Sequence, residues 1–242
     1  TTGVRNTIVG AFSGDDLTDA DYNVAMGYAA LTTDTLGSKS TALGFAALEV
    51  QNFTTATDSH NTAVGFSAGL SVTTGQSNTL IGSLAGDALT TPASNTAVGQ
   101  NALGADTQGS NTTAIGAGAL QSQNFTTATE SYNTAVGTYA GASVTTGQYN
   151  TLIGRASGDA ITVGNSNTAV GQNALGADTK GDLNTAIGIG ALQSQNFTTT
   201  TDSYNTAVGG FAGGNVTTGT NNTLVGGLAG NAITTGVQNT LI

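Results

Sequence analysis

The chain has no cysteine, no tryptophan, one proline and one histidine, and only four basic residues. Each scarcity closes off a class of answer. Without cysteine there is no disulfide framework and no thiolate metal site, a composition that suits an extracellular or virion protein. Four Lys and Arg against fourteen Asp and Glu give a formal charge of −10, which repels a phosphate backbone and argues against a nucleic-acid partner. No apolar run approaches the roughly twenty residues needed to span a bilayer, so no membrane partner is expected. Weak charge combined with 36 glycines can signal disorder. Disordered tracts, however, keep no large apolar residue in register, and this chain does.

What is present is a repeated phrase of the type Asn-Thr-Ala-Val-Gly. It starts at Asn6, Asn23, Ser40, Asn61, Asn78, Asn95, Thr112, Asn133, Asn150, Asn167, Asn184, Asn205, Asn222 and Asn239. Intervals of 17 residues are interrupted by one of 21 at every fourth step, giving a higher period of 72. The longer unit announces itself by an insert beginning at Gln51, Gln123 and Gln195. Residues 1–242 therefore read as a single repeat array with no internal boundary, and with both ends inside the pattern, as in a piece of a longer fibrous protein.

Thr, Val and Ile favour strands, whose side chains alternate between two faces. The fourth position of the phrase is always apolar, as in Val64, Ile81, Val98, Val136, Ile153, Val170, Val208 and Val225. It is read as the interior column, which places Thr at position two inside as well. Gly at position five marks a turn. Position eight is always small, and position nine alternates in pairs between Leu and Gly. Where position nine is Gly in a complete later short unit, position twelve is apolar; where it is Leu, position twelve is Asp, as at Asp34, Asp106 and Asp178. The two sites thus compete for one space. All ten complete short units carry Thr at position thirteen.

The fold class that follows is all-β: a parallel β-solenoid, or β-roll, with rungs of 17, 17, 17 and 21 residues. Rungs stacked at about 4.8 Å would make a rod of roughly 60 Å. Helix is excluded by glycine and β-branched content and by the lack of a 3.6-residue stripe. One rung buries few large apolar groups by itself. The third position, outward on this reading, carries Ala135 and Ala207, with Leu80, Leu152 and Leu224 at the 72-residue spacing. It is the expected contact of a parallel homotrimer. The Asn column (Asn61, Asn78, Asn95, Asn133, Asn150, Asn167, Asn205 and Asn222) is expected to form an inter-rung ladder of amide hydrogen bonds.

The phrase resembles the Ser-Val-Ala-Ile-Gly motif of trimeric autotransporter adhesin heads. It is closer still to the Asn-Thr-Ala-Ile-Gly repeats of phage tail-fibre shafts. In the adhesin heads three chains form parallel left-handed β-rolls. The resemblance implies a left-handed, homotrimeric solenoid in which Thr134 and Val136 match the inward pair and Ala135 faces the trimer. This chain departs by having Thr for the inward Val and longer rungs.

No catalytic constellation stands out, so no enzyme activity and no cofactor is expected. His60 is replaced one and two periods on by Tyr132 and Tyr204, and Asp58 by Glu130 and Asp202, which reads as turn chemistry. The acidic group Asp15, Asp16, Asp19 and Asp21 lacks a calcium-loop pattern and reads as a solvated loop, so no metal site is assigned. Phe53, Phe125 and Phe197 in the inserts could stack on sugars or shield the solenoid, and shielding is favoured. Regular Thr columns raise ice binding. With position two inside and the long rung breaking the face, no thermal hysteresis is expected. The leading expectation is a structural fibre shaft of a phage tail fibre, located in the virion and holding a receptor-binding tip away from the particle. Its partners would be its own copies, other fibre or baseplate proteins, and a host receptor or glycan met through other regions. The alternatives are the head or stalk of a bacterial surface adhesin and a self-assembling extracellular filament.

Overall fold

In the computed structural model, which describes residues 2–242, the phrase forms a short strand in rung after rung. Two compact units are present, one of residues up to 117 with Asn124–Glu130, the other of Gly118–Gln123 with Ser131–Ile242. The first holds Thr7–Val9 (β1), Val24–Met26 (β2), Gly37–Ser38 (β3), Thr41–Leu43 (β4), Thr57–Asp58 (β5), Thr62–Val64 (β6), Thr79–Ile81 (β7), Thr96–Val98 (β8), Gly109–Ser110 (β9), Thr113–Ile115 (β10) and Thr129–Glu130 (β11). The second holds Thr134–Val136 (β12), Thr151–Ile153 (β13), Thr168–Val170 (β14), Gly181–Asp182 (β15), Thr185–Ile187 (β16), Thr201–Asp202 (β17), Thr206–Val208 (β18), Thr223–Val225 (β19) and Thr240–Leu241 (β20).

Each unit is a parallel β-solenoid. The order β1-β2-β4-β6-β7-β8-β10 in the first, and β12-β13-β14-β16-β18-β19-β20 in the second, follows the chain with no crossover. Pairing is parallel and in register, Thr on Thr and position three on position three. Register survives the long rung: Thr41 pairs with Thr62, and Thr185 with Thr206, although each pair is 21 residues apart. The insert instead builds a second, two-residue strand pairing, β3 with β5, β9 with β11 and β15 with β17.

The faces are the reverse of the sequence expectation. Position three is the interior: Ala63, Leu80, Ala97, Ala135, Leu152, Ala169, Ala207 and Leu224 have no exposed surface at all. Position four points out. Ile81 and Ile153 are each 38% exposed, and Val64, Val98, Val136, Val170, Val208 and Val225 are only half-buried. The core column was thus misplaced by one residue, and a one-residue slip moves a whole strand's set of side chains to the other face. The assigned trimer contact (Leu80, Ala135, Leu152, Ala207 and Leu224) fails for the same reason, because those side chains are enclosed by their own solenoid.

The physical cause is the opposite wall. The rung interior is narrow and is filled by positions eight, nine and twelve, where Ala68, Leu103, Val72, Leu89, Val144 and Ile161 are fully buried. Only a small residue, or one Leu with room made for it, fits across from them. That room is visible. A Cβ added at Gly69 would lie 2.7 Å from Leu80 Cδ1, and one at Gly86 2.7 Å from Leu80 Cδ2; Gly141 and Gly158 stand in the same relation to Leu152. One Leu at position three thus takes the space of two missing side chains at position nine, in its own rung and in the one before. This exchange recurs with the 72-residue period.

Turns are made by left-handed residues at positions seven and nine and at the last position of the rung, among them Ser67, Leu103 and Tyr132. The Gly at position five is compelled by contact rather than by turn type alone. Gly65 has φ of 140° and a Cβ there would sit 2.5 Å from the carbonyl oxygen of Gly82 in the next rung.

Burial separates the two neighbouring columns experimentally. Leu152→Ala should cost about 2–5 kcal/mol through the cavity it leaves, whereas Val136→Lys should change stability by less than about 1 kcal/mol. Chemical denaturation followed by circular dichroism reads both, and equal losses would overturn the assignment of faces.

Candidate functional site

The sequence singles out columns rather than a cleft, and the structure builds them from inter-rung hydrogen bonds. The Asn at position one is fully enclosed in almost every rung. Its carbonyl Oδ1 accepts the backbone N–H of the next rung's position one: Asn78 N–H to Asn61 at 2.9 Å, Asn150 to Asn133 at 2.9 Å, Asn167 to Asn150 at 3.0 Å and Asn222 to Asn205 at 2.9 Å. Its Nδ2 donates to the position-fifteen carbonyl of the same rung, as Asn61 to Gly75 and Asn150 to Gly164. Amide-to-amide contacts also run between rungs, at 3.3 Å from Asn78 to Asn61, 3.1 Å from Asn184 to Asn167 and from Asn222 to Asn205, and 2.9 Å from Asn239 to Asn222. The column is thus a staple that combines the expected amide contacts between rungs with side-chain bonds to the backbone. Asn95 continues it by accepting from Thr112 N–H.

A second column is Thr at position thirteen. Thr73 donates its hydroxyl to the Thr90 carbonyl, Thr90 to Thr107, Thr145 to Thr162 and Thr162 to Thr179, at 2.9–3.2 Å. At the long rung the acceptor is the carbonyl of the insert Phe, for example Thr35 to Phe53 at 2.9 Å.

The long rung hides a polar cluster that sequence reasoning missed. Asp34 has no exposed surface, yet it sits where an apolar residue fills other rungs. Its carboxylate accepts from Gly37 N–H at 3.0 Å, Phe53 N–H at 3.1 Å and Gln51 Nε2 at 2.6 Å. Gln51 in turn accepts from Asn61 Nδ2 at 2.8 Å. Asp178, Gln195 and Asn205 repeat the arrangement. A buried carboxylate is tolerable only when its oxygens are met in this way. The available signal was Gln at position twelve of each long rung, directly after Asp at position twelve of the rung before.

The insert aromatics are not a sugar platform. Phe53, Phe125 and Phe197 are 4–6% exposed and fold against the column of Gly37, Gly109 and Gly181. His60, Tyr132 and Tyr204 share one exposed left-handed turn position. Asp58 pairs with Lys39 at 2.6 Å on the surface. Of the acidic group, Asp19 accepts from the Thr2 hydroxyl and Asp21 from Val4 N–H, both within the rung stack. Among the described residues no three His, Cys, Asp or Glu side chains converge as metal ligands. No family model, curated protein or solved structure matches the chain.

Three carboxyls have raised pKa values. At position ten, Asp87 and Asp159 are pushed up by burial, partly opposed by a hydrogen bond from their own backbone and, for Asp159, by Arg155. Asp87 Oδ1 is buried without a partner. Asp182 is raised by burial first, and also by Asp202, its register partner across β15 and β17, and by Asp178.

A carboxyl with a folded pKa above its ordinary 3.8 holds a proton in the fold that the unfolded chain has released. Stability therefore falls as pH rises from about 3.8 through the folded pKa. The chain offers its own remedy, since Asn231 occupies the equivalent position one period after Asp159. Asp159→Asn should raise the melting temperature at pH 7, and the gain should vanish near pH 3, where both states are protonated. No difference at pH 7 would show that burial at position ten carries no penalty.

Proposed function

We propose that the chain is a structural spacer, the shaft of a fibre of the phage tail-fibre kind, working as three parallel copies outside the cell or on a virion. The observation that carries this reading is that each rung is held by its neighbours alone. Strand pairing, the Asn staple, the Thr column and the Gly contacts all run from one rung to the next. Such a stack gains length by adding rungs without altering those already there. That is the property a spacer needs.

A different surface supports the association of copies, now that position three is enclosed. Beyond the Gly turn, Phe12, Tyr28, Phe45 and Phe66 form an exposed column with ring centroids 5.6, 5.4 and 5.1 Å apart, the last two pairs nearly parallel. In the second unit Tyr139, Ile189, Phe211 and Leu228 are exposed at the same two rung positions. Only a partner with the same rung spacing can meet every member of such a column, and a second copy of the chain has that spacing by construction.

Removing one whole period, residues 61–132, should leave a folded chain whose fibre is shorter by about 19 Å, four rungs at ~4.8 Å each. Electron microscopy would read the length, and an unfolded product would count against a modular spacer. Sedimentation should show a trimer for the intact chain and a folded monomer for Phe45→Lys/Phe66→Lys. A monomeric intact chain would remove the trimer.

A further inference from the structure

With position two turned outward, the Thr column takes on a property that the sequence expectation denied it. Thr62, Thr79 and Thr96 in the first unit, and Thr134, Thr151, Thr168, Thr185 and Thr206 in the second, are half-exposed on the outer face of their strands. The Val or Ile two residues on shares that face. The long rung does not break it, because its insert lies elsewhere and the Thr pairs stay in register across it.

Three features separate this face from the rest of the surface. First, no residue at position two or four is charged, in a chain with fourteen acidic residues. Second, its hydroxyls are free: the position-thirteen Thr hydroxyls bond to the next rung's carbonyl, whereas those of Thr134, Thr151 and Thr168 make no hydrogen bond to protein. Third, the spacing is fixed in two directions, about 4.8 Å from rung to rung and about 6.6 Å from position two to position four along a strand. A rigid, uncharged array of hydroxyls and methyls imposes its spacing on the water touching it. Methyl groups cage water without binding it, while hydroxyls anchor it by hydrogen bonds. Ice is an uncharged partner whose surface repeats hydrogen-bonding oxygens at fixed spacing, which a regular column of hydroxyls flanked by methyls can meet at many points together.

We infer that the outward Thr-x-Val/Ile face of the second unit, on β12, β13, β14, β16 and β18, orders water and binds the surface of ice. This goes beyond the spacer function and uses a different face from the aromatic column. The test is partition of the full chain into a slowly grown ice crystal, measured against a dissolved dye that ice excludes, with inhibition of ice recrystallisation as a second readout. The intact chain should be enriched in the ice severalfold over the dye. Thr151→Lys/Thr168→Lys should lower that enrichment about tenfold, since contacts along the face act together. Thr146→Lys, which changes an exposed Thr off the strands, should leave it unchanged. Circular dichroism checks that each variant is folded. If the double Lys variant is not, Thr151→Val/Thr168→Val keeps the shape, removes only the hydroxyls and should weaken enrichment. Exclusion of the intact chain from ice, or undiminished enrichment of the folded face variants, would overturn the inference. Sedimentation of the same samples keeps the two readings apart. A monomer that enters ice removes only the trimer, and a trimer that is excluded removes only the ice face.

Discussion

Everything in this molecule depends on parallel, in-register stacking of like on like. Once Thr151 lies over Thr134 and Thr168 over Thr151, each side chain meets its own equivalent above and below. A residue that suits this geometry once suits it at every step, and one that does not is excluded everywhere. The Gly at position five shows the severity of that rule, because its neighbour's carbonyl occupies the space where a Cβ would be. Selection at one rung thereby becomes a column.

The interior obeys the same rule with a correction for volume. Two successive rungs pair Ala at position three with Leu at position nine; in the next two, Gly at position nine leaves space that one Leu at position three fills for both. Interiors are close-packed, and a mismatch of even a methylene is felt. The chain therefore cycles through three combinations of these two positions, Ala with Gly, Leu with Gly and Ala with Leu, instead of repeating one. Asp at position twelve belongs to this alternation: where Leu occupies position nine, the remaining room holds a carboxylate whose oxygens are met by backbone N–H groups and, at Asp34 and Asp178, a Gln. The third element, the insert, adds a strand pairing and a buried Phe without disturbing the main ladder.

What the stack leaves outside is what a partner can meet. Among what the stack presents to solvent are two columns: an aromatic one beyond the turn in the first unit, and a Thr and Val/Ile one on the strands. Both are ordered because the backbone orders them, with no dedicated scaffold. A repeating surface favours a repeating partner, whether another copy of the chain or a crystal lattice.

The sequence by itself determined the period, the rung, the strand within it and the parallel stack. All of these follow from a phrase that recurs at fixed intervals, with β-branched residues flanked by glycine. It also identified the Asn and Thr columns and the competition between positions nine and twelve. Which face is inside was decided only by the tertiary structure. Alternation says that Ala135 and Val136 point opposite ways but not which way; the rule that the larger residue is buried chose wrongly. The reason lies across the rung, where Ala140 and Val144 are fully buried and Leu152 of the next rung reaches over Gly141, so that the small Ala135 is the residue turned inward. The burial of Asp34 was hidden on the same ground, since its partners Gly37, Gln51 and Phe53 meet it only when one rung closes over the next.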